Sequence, residues 1–313
     1  MLYIMESRSH YSGKEEPDLT KRLLFLLVLM LILALGVSCV RAESEYSLPI
    51  ALVPGKEPNP ACYTKDTYHD DSLDVRMEQV IYNKVRVNLA WITVKSPTQL
   101  RTAIAGRAVD VYQEVRPGKI VHAYNAVVAV NGDLFTRREG IIYREGVAIK
   151  QTESPNKDSL FIDENGDFHI IVNSDPAEMV EYLNAGHKMI NTFSFGPGLI
   201  IDGEVQQIRS DYWFEPEGRS QRTAICQTGE LSYLFVEVIG RTNESRGFTM
   251  QQLADFLGTL GCVQQAYNLD GGDSTVMYFG GMFWDRKYHY EGMDRVASDI
   301  VYVATAVDPE SWK

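Results

Sequence analysis

Residues 249–278 read TMQQLADFLGTLGCVQQAYNLDGGDSTVMY, and three signals follow one another in this stretch. Thr249 stands where a helix cap stands, with Gln252 at the capping-box position. Leu253, Phe256, Leu257 and Leu260 then share one face of a helix expected from Met250 to Leu260, and Gly261 ends it. That stripe is a packing face. Val263 to Leu269 is a short strand that runs into Asp270-Gly271-Gly272-Asp273-Ser274-Thr275. An Asp-Gly turn on its own is a hairpin device. The longer string has more than a turn requires. Glycines permit positive φ and close approach, successive N–H groups make a concave anion site, and the hydroxyls and carboxylates add donors and acceptors.

Outward from this stretch, strand signals dominate. Val85 to Val94 alternates, and Ala126 to Val130 is a short apolar run ending at Asn131-Gly132-Asp133. Hairpin turns are expected at Glu145-Gly146, Asn165-Gly166, Asp202-Gly203 and Thr228-Gly229, and DIVYVATAV closes the chain as a strand. Besides the helix at Met250, helices are expected over Ser96–Ala105 and Pro176–Asn184, each opening on a cap followed by proline. The expected fold is α+β, with a mixed, largely antiparallel β-sheet and a few packed helices.

The N-terminus carries its own message. Lys21-Arg22 precede LLFLLVLMLILALGVSCV, eighteen uncharged residues from 23 to 40, just enough for a helix to cross a bilayer. The basic pair predicts a cytoplasmic tail over 1–22 and an exported body. The run is expected to be an uncleaved transmembrane anchor, with cleavage after Ala42 as the competing reading. Residues 41–70, rich in proline, read as a linker or stalk, and 71–313 as the catalytic-type body.

The net charge of −12 and the lack of a basic run argue against nucleic-acid binding. They leave room for a small anionic substrate held by a few arginines. Cys62, Cys226 and Cys262 have no metal-ligand spacing, and either a Cys226–Cys262 disulfide or free thiols fits. The histidines are scattered with no HxxxH pair, which disfavours a zinc enzyme. No P-loop or nucleophile elbow is present.

AVNGDLF, FGPGLIIDGEV, QRTAICQTG, TMQQLADFLGTLG with YNLDGGDSTVMY, and DRVASDIVYVAT occur in that order. Together they resemble the phosphodiester glycosidase family, the catalytic-domain family of N-acetylglucosamine-1-phosphodiester alpha-N-acetylglucosaminidase. The resemblance is closer to its exported bacterial members and covers roughly residues 70–307. It implies a mixed α/β domain that hydrolyses a sugar-1-phosphodiester, with a carbohydrate phosphodiester as partner; no cofactor is expected, with a divalent metal left open. Position by position it carries over Asn131, Gly132 and Asp133, Arg222 and Thr223, Asp270, Gly271, Gly272, Ser274 and Thr275, and Arg295. Asp270 and Asp133 would then do the acid–base or nucleophilic work, and the others would hold the phosphodiester. Asp273 stands where the family often has a small residue, and Cys226 where many members have glycine. Two rival readings remain. One is a non-catalytic glycopolymer-binding module; the other is a metal-dependent phosphodiesterase with Asp270, Asp273 and Asp133 as hard ligands of a divalent cation.

Overall fold

A computed structural model describes residues 24, 26–28, 54–105, 113–285, 287 and 295–305. The strands begin with β1 (Thr67–His69), β2 (Leu73–Tyr82), β3 (Val85–Val94) and β4 (Leu100–Ile104). The middle of the chain gives β5 (Val128–Asn131), β6 (Ile141–Arg144), β7 (Val147–Gln151), β8 (Ser159–Ile162), β9 (Phe168–Ile171) and β10 (Asn191–Phe193). Next come β11 (Gly198–Ile201), β12 (Glu204–Val205), β13 (Arg222–Gly229) and β14 (Ser232–Val238). The last four are β15 (Gln265–Asn268), β16 (Met277–Phe279), β17 (Met282–Phe283) and β18 (Asp299–Val303). The helices of the body are α1 (Pro117–Ala123), α2 (Pro176–Asn184) and α3 (Met250–Thr259).

Two sheets carry the architecture. One has eight strands in the order β1-β2-β3-β14-β13-β15-β11-β12; the other has five, β17-β16-β5-β18-β4. A small lobe adds the β10-β8-β9 sheet and the β6-β7 hairpin. Every pairing among the described residues is antiparallel.

Alternation along the strands explains the layers. In β3, Ala90, Ile92 and Val94 face the five-stranded sheet, while Val85, Val87 and Leu89 face α3. In β14, Tyr233 and Phe235 take the first side, and Leu234, Val236 and Val238 take the second. The five-stranded sheet repeats the pattern. Val128, Val130, Val301 and Val303 face the large sheet, whereas Ala129, Ile300 and Tyr302 pack under α1. The order of layers is helix, sheet, sheet, helix. The inner strands of both sheets are buried on two faces, which is why β14 and β18 read as nearly continuous apolar runs, whereas β2, toward the edge of the large sheet, alternates buried and exposed.

The helix at Met250 forms as its sequence dictates: Thr249 accepts from the Gln252 N–H at 3.2 Å, and Gln252 reaches back to Thr249 N–H at 3.1 Å. Helix α2 likewise starts on Asp175, which accepts from Ala177 N–H at 2.7 Å. Turns fall where expected at Glu145-Gly146, Asn165-Gly166 and Asp202-Gly203.

Several expectations are corrected. Ser96–Ala105 is not a helix. The Ser96/Gln99 capping box does form, but it closes only the single 3-10 turn Pro97–Gln99. Residues Leu100–Ile104 then pair with β18 as a wholly buried edge strand, a case of long-range pairing overriding local signals. The turn expected at Thr228-Gly229 lies two residues later, with Leu231 in the left-handed region at φ 47°. Residues 54–70 are not a free stalk. Gly55 N–H donates to Tyr124 O at 3.1 Å, Lys56 bridges to Thr305, and β1 is the outer strand of the large sheet. Cys226, buried, and Cys262, exposed, are both free. The expected anchor lies outside the described residues apart from residues 24 and 26–28. No helix among the described residues is long and apolar enough to cross a membrane.

Helix α3 covers the inner strands of one face of the large sheet, so its stripe is a stability determinant. Leu257 is fully buried. Leu257→Ala is expected to cost about 2–5 kcal/mol, read as a lower denaturant midpoint with an unchanged slope.

Candidate active site

The sheets bring separate motifs to one end of the sandwich. Strand β5 ends at Asn131, β15 ends just before Asp270, β13 begins at Arg222, and β18 begins at Asp299. Asn131 joins them. Its side chain donates to Asp270 O at 2.8 Å and accepts from Thr223 Oγ1 at 2.8 Å and Val276 N–H at 3.2 Å. Asn131 and Thr223 are buried and spend these groups on each other and on the loop. The backbone adds Asp270 N–H to Gly132 O at 3.4 Å and Gly132 N–H to Asp299 O at 3.0 Å.

Gly132 is required by space, not by turn conformation. A Cβ there would lie 2.1 Å from Asp299 Oδ2. The left-handed residue of this bend is Leu134, at φ 54° and ψ 48°, an unfavourable state for a branched side chain held by the surrounding packing.

Asp133 is completely buried. Its Oδ1 pairs with Arg144 Nη2 at 2.7 Å, and its Oδ2 accepts from Ser194 N–H at 3.2 Å. The same Nη2 reaches Asp299 Oδ2 at 2.7 Å, Nε reaches that oxygen at 3.2 Å, and Nη1 donates to Tyr143 O and Thr192 O. The Phe193 ring lies 4.4 Å from this guanidinium. One cation thus serves two carboxylates away from water. Burial, with Asp299 adding to it, pushes Asp133 up to about 6 against the pull of Arg144. As it stands, Asp133 meets no solvent and both of its oxygens are engaged.

Asp270 is different. It is 8% exposed, and its Oδ2 is buried with no hydrogen-bond partner, as are Ser274 Oγ and Thr275 Oγ1 beside it. Arg138 Nη2 stands 3.8 Å from Oδ1, too far for a hydrogen bond. Burial raises the carboxyl above its ordinary range, while the neighbouring Ser274 hydroxyl, Arg138 and Arg295 work the other way.

The arginines form a rim. Arg138 Nε is buried without a partner, and its guanidinium lies over Phe195 at 5.2 Å and Trp213 at 5.0 Å. Lys157 covers the same Trp213 ring at 4.6 Å. Arg295 is exposed and acts on Asp270 through charge. Arg222 is buried, donates to Gly218 O at 2.7 Å and Phe248 O at 3.2 Å, and stands 5.9 Å from the Phe214 ring. Burial and the nearby Arg241 lower Arg222 to about 10, against the pull of Glu215. The Tyr212-Trp213-Phe214 loop therefore links the two sides of the rim.

In the glycine loop, Gly272 is left-handed at φ 61°, and its N–H is taken by Gln221 O at 3.0 Å. Ser274 and Thr275 N–H groups close the turn onto Gly271 O and Gly272 O. The anion cradle expected from these N–H groups is thus largely occupied, and the side-chain cations are what remains open. Asp273 points outward and pairs with Arg241 at 3.0 Å, both exposed. Among the described residues, Asp133, Asp270 and Asp273 do not converge as ligands for one ion.

A sequence profile described as phosphodiester glycosidase matches residues 124–304, more than half of the chain and all of the strands that build this site. The chain belongs to the phosphodiester glycosidase family. The zebrafish N-acetylglucosamine-1-phosphodiester alpha-N-acetylglucosaminidase catalytic domain, solved in a form auto-inhibited by its pro-peptide, shares the fold. That match has a TM-score of 0.59 and 17% identity, over 76% of this chain and 86% of that one. A hypothetical protein from Synechocystis matches at a TM-score of 0.52 and 17% identity, over 74% of this chain and 62% of that chain. The SPbeta prophage-derived uncharacterized protein YomE of Bacillus subtilis strain 168 is 25% identical over 114 residues. That stretch is 36% of this chain and only 17% of YomE.

Arg144, Asp299, Arg138 and the 212–214 aromatics escape a reading of the sequence as a phosphodiester glycosidase. Arg144 sits beside a hairpin turn and Arg138 directly after the 3-10 turn Phe135–Arg137, where charge is ordinary. Asp299 was visible as an acid opening an apolar strand, and YWF as three aromatics inside a polar loop.

Two outcomes follow from the buried cluster. Arg144→Met leaves two buried carboxylates unpaired and is expected to cost about 3–5 kcal/mol in a urea titration. Asp133 binds its proton more tightly folded, at about 6, than at the ordinary 3.8. Its contribution is therefore fully present below 3.8 and is lost as pH rises through about 6. Asp133→Asn should flatten the fall in stability across that window.

Proposed function

We propose that the protein hydrolyses a sugar-1-phosphodiester, breaking the bond between the anomeric carbon and the phosphate oxygen. The observation that carries this reading is Asp270, a largely buried carboxylate with one oxygen unpaired, with the Arg138 guanidinium 3.8 Å from its other oxygen and not hydrogen-bonded to it. A negative substrate group next to an electrophilic carbon matches that pairing of acid and cations. The membership of the phosphodiester glycosidase family points the same way.

In this reading Arg138 and Arg295, with Arg222 behind the glycine loop, hold the phosphodiester through charge-assisted contacts. The unused Arg138 Nε and the Ser274 and Thr275 hydroxyls supply further donors. Trp213 and Phe195 give the sugar ring an apolar wall. Phosphate leaves readily, so no strong acid is needed, and one working carboxylate suffices. Asp270 takes a proton from water, the water oxygen bonds to the anomeric carbon, and the phosphate monoester departs with the bridging oxygen. Its raised pKa makes Asp270 a stronger base than an ordinary carboxylate. Asp133 acts through position: its pairing with Arg144 fixes the bend that aligns Gly132 with Asp270. Asn131, Gly132, Thr223, Gly271 and Gly272 shape the loop. The apolar run at 23–40 adds that the reaction takes place outside the cytoplasm, on a glycan or cell-surface polymer.

The test is a panel of sugar-1-phosphodiesters incubated with the purified protein, with release of free sugar as the readout. Asp270→Asn is expected to lower turnover by about 10²–10⁴-fold while the far-ultraviolet dichroism is unchanged. Folded wild-type protein that binds the panel without cleaving it would replace this reading with a glycopolymer-binding module.

A further inference from the structure

Away from this site, the small lobe gathers three metal-binding side chains that lie apart in the sequence. Asp163 follows β8, His169 lies in β9, and His187 follows α2. His187 Nδ1 is 2.9 Å and His169 Nε2 is 3.2 Å from the same oxygen, Asp163 Oδ2. All three ligand atoms lie within 4.8 Å of one another. Around a tetrahedral ion with bonds of about 2.0–2.2 Å, neighbouring ligand atoms stand about 3.3–3.6 Å apart, so the two imidazole–carboxylate distances need open only a little.

The carboxylate is aimed by a second set of contacts. Its other oxygen accepts Asn165 N–H at 2.8 Å and Asp167 N–H at 3.0 Å, which leaves Oδ2 to the histidines. Asp163 has no exposed side chain, whereas the two imidazoles are 32% and 30% exposed. The rings are also held. Tyr182 lies 5.0 Å from each, and its hydroxyl donates to Lys188 O at 2.8 Å, next to His187. Orientation of ligands by outer hydrogen bonds is the mark of a built metal site.

We propose that Asp163, His169 and His187 bind a divalent transition metal of the zinc type, with an open position on the exposed side for water. Two imidazoles and one carboxylate are a donor set suited to zinc. The ion would tie the β8–β9 hairpin to the segment after α2. This hairpin docks on Gln227, whose side chain accepts from Phe168 N–H and donates to Asp167, near the opposite end of β13 from Arg222. The metal therefore stabilises the lobe and takes no part in the reaction at Asp270.

The full chain, stripped with a chelator, is titrated with zinc near neutral pH by calorimetry, and its melting temperature is followed in parallel. One saturable site and a raised melting temperature are expected. His187→Ala and His169→Gln should each weaken binding by more than the about 10–100-fold typical of losing an outer contact. Sugar release should not change in either variant. Zinc binding that is absent in the folded wild type, or equal in wild type and both variants, overturns the proposal. The cluster is then a hydrogen-bonded pair of histidines on one carboxylate.

Discussion

The guanidinium of Arg144 holds the most demanding position in the molecule. It is buried, yet it must answer two carboxylates, Asp133 from the end of β5 and Asp299 from the start of β18. It also donates to Thr192 O of β10 within the small lobe, so that its two carboxylates join that lobe to the five-stranded sheet. A buried ion pair adds little net stability against an apolar replacement, but losing one partner is costly. Its worth here is geometric. It sets the direction in which the chain leaves β5, and that exit places Gly132 against Asp270.

From that point the site divides into two kinds of residue. Asn131, Thr223 and Gly132 weld the ends of the two sheets and have few groups left for a ligand. Asp270, Arg138, Ser274 and Thr275 keep polar atoms without partners. Unpaired buried polar atoms are costly unless something else meets them, and in the proposed reading the substrate meets this second group. The 212–214 loop connects the two sides of this opening through contacts of aromatic rings with Arg138 and Arg222.

Much of this was legible in the sequence where signals are local. The capped helix at Met250, the Asp175 cap and three hairpin turns follow from spacing alone, and the family motifs mark the strand ends that build the site. What is not legible depends on distant partners. LRTAI has helical spacing, yet pairing with β18 makes it a strand. NGD reads as a turn, but Gly132 answers to Asp299, more than a hundred and fifty residues away, and the left-handed residue is Leu134. Asp133 and Asp270 look alike in the sequence. Only Arg144, which no local pattern links to either, separates the buried partner from the open one. Asp273, odd in sequence, resolves into a surface pair with Arg241.

The central claim is that the bond broken lies between the anomeric carbon and oxygen, with Asp270 delivering the water. Hydrolysis of a sugar-1-phosphodiester in water enriched in heavy oxygen tests it directly by mass spectrometry of both products. The account predicts the label in the hydroxyl of the released sugar and none in the phosphate monoester. Label in the phosphate would mean attack at phosphorus and would contradict it.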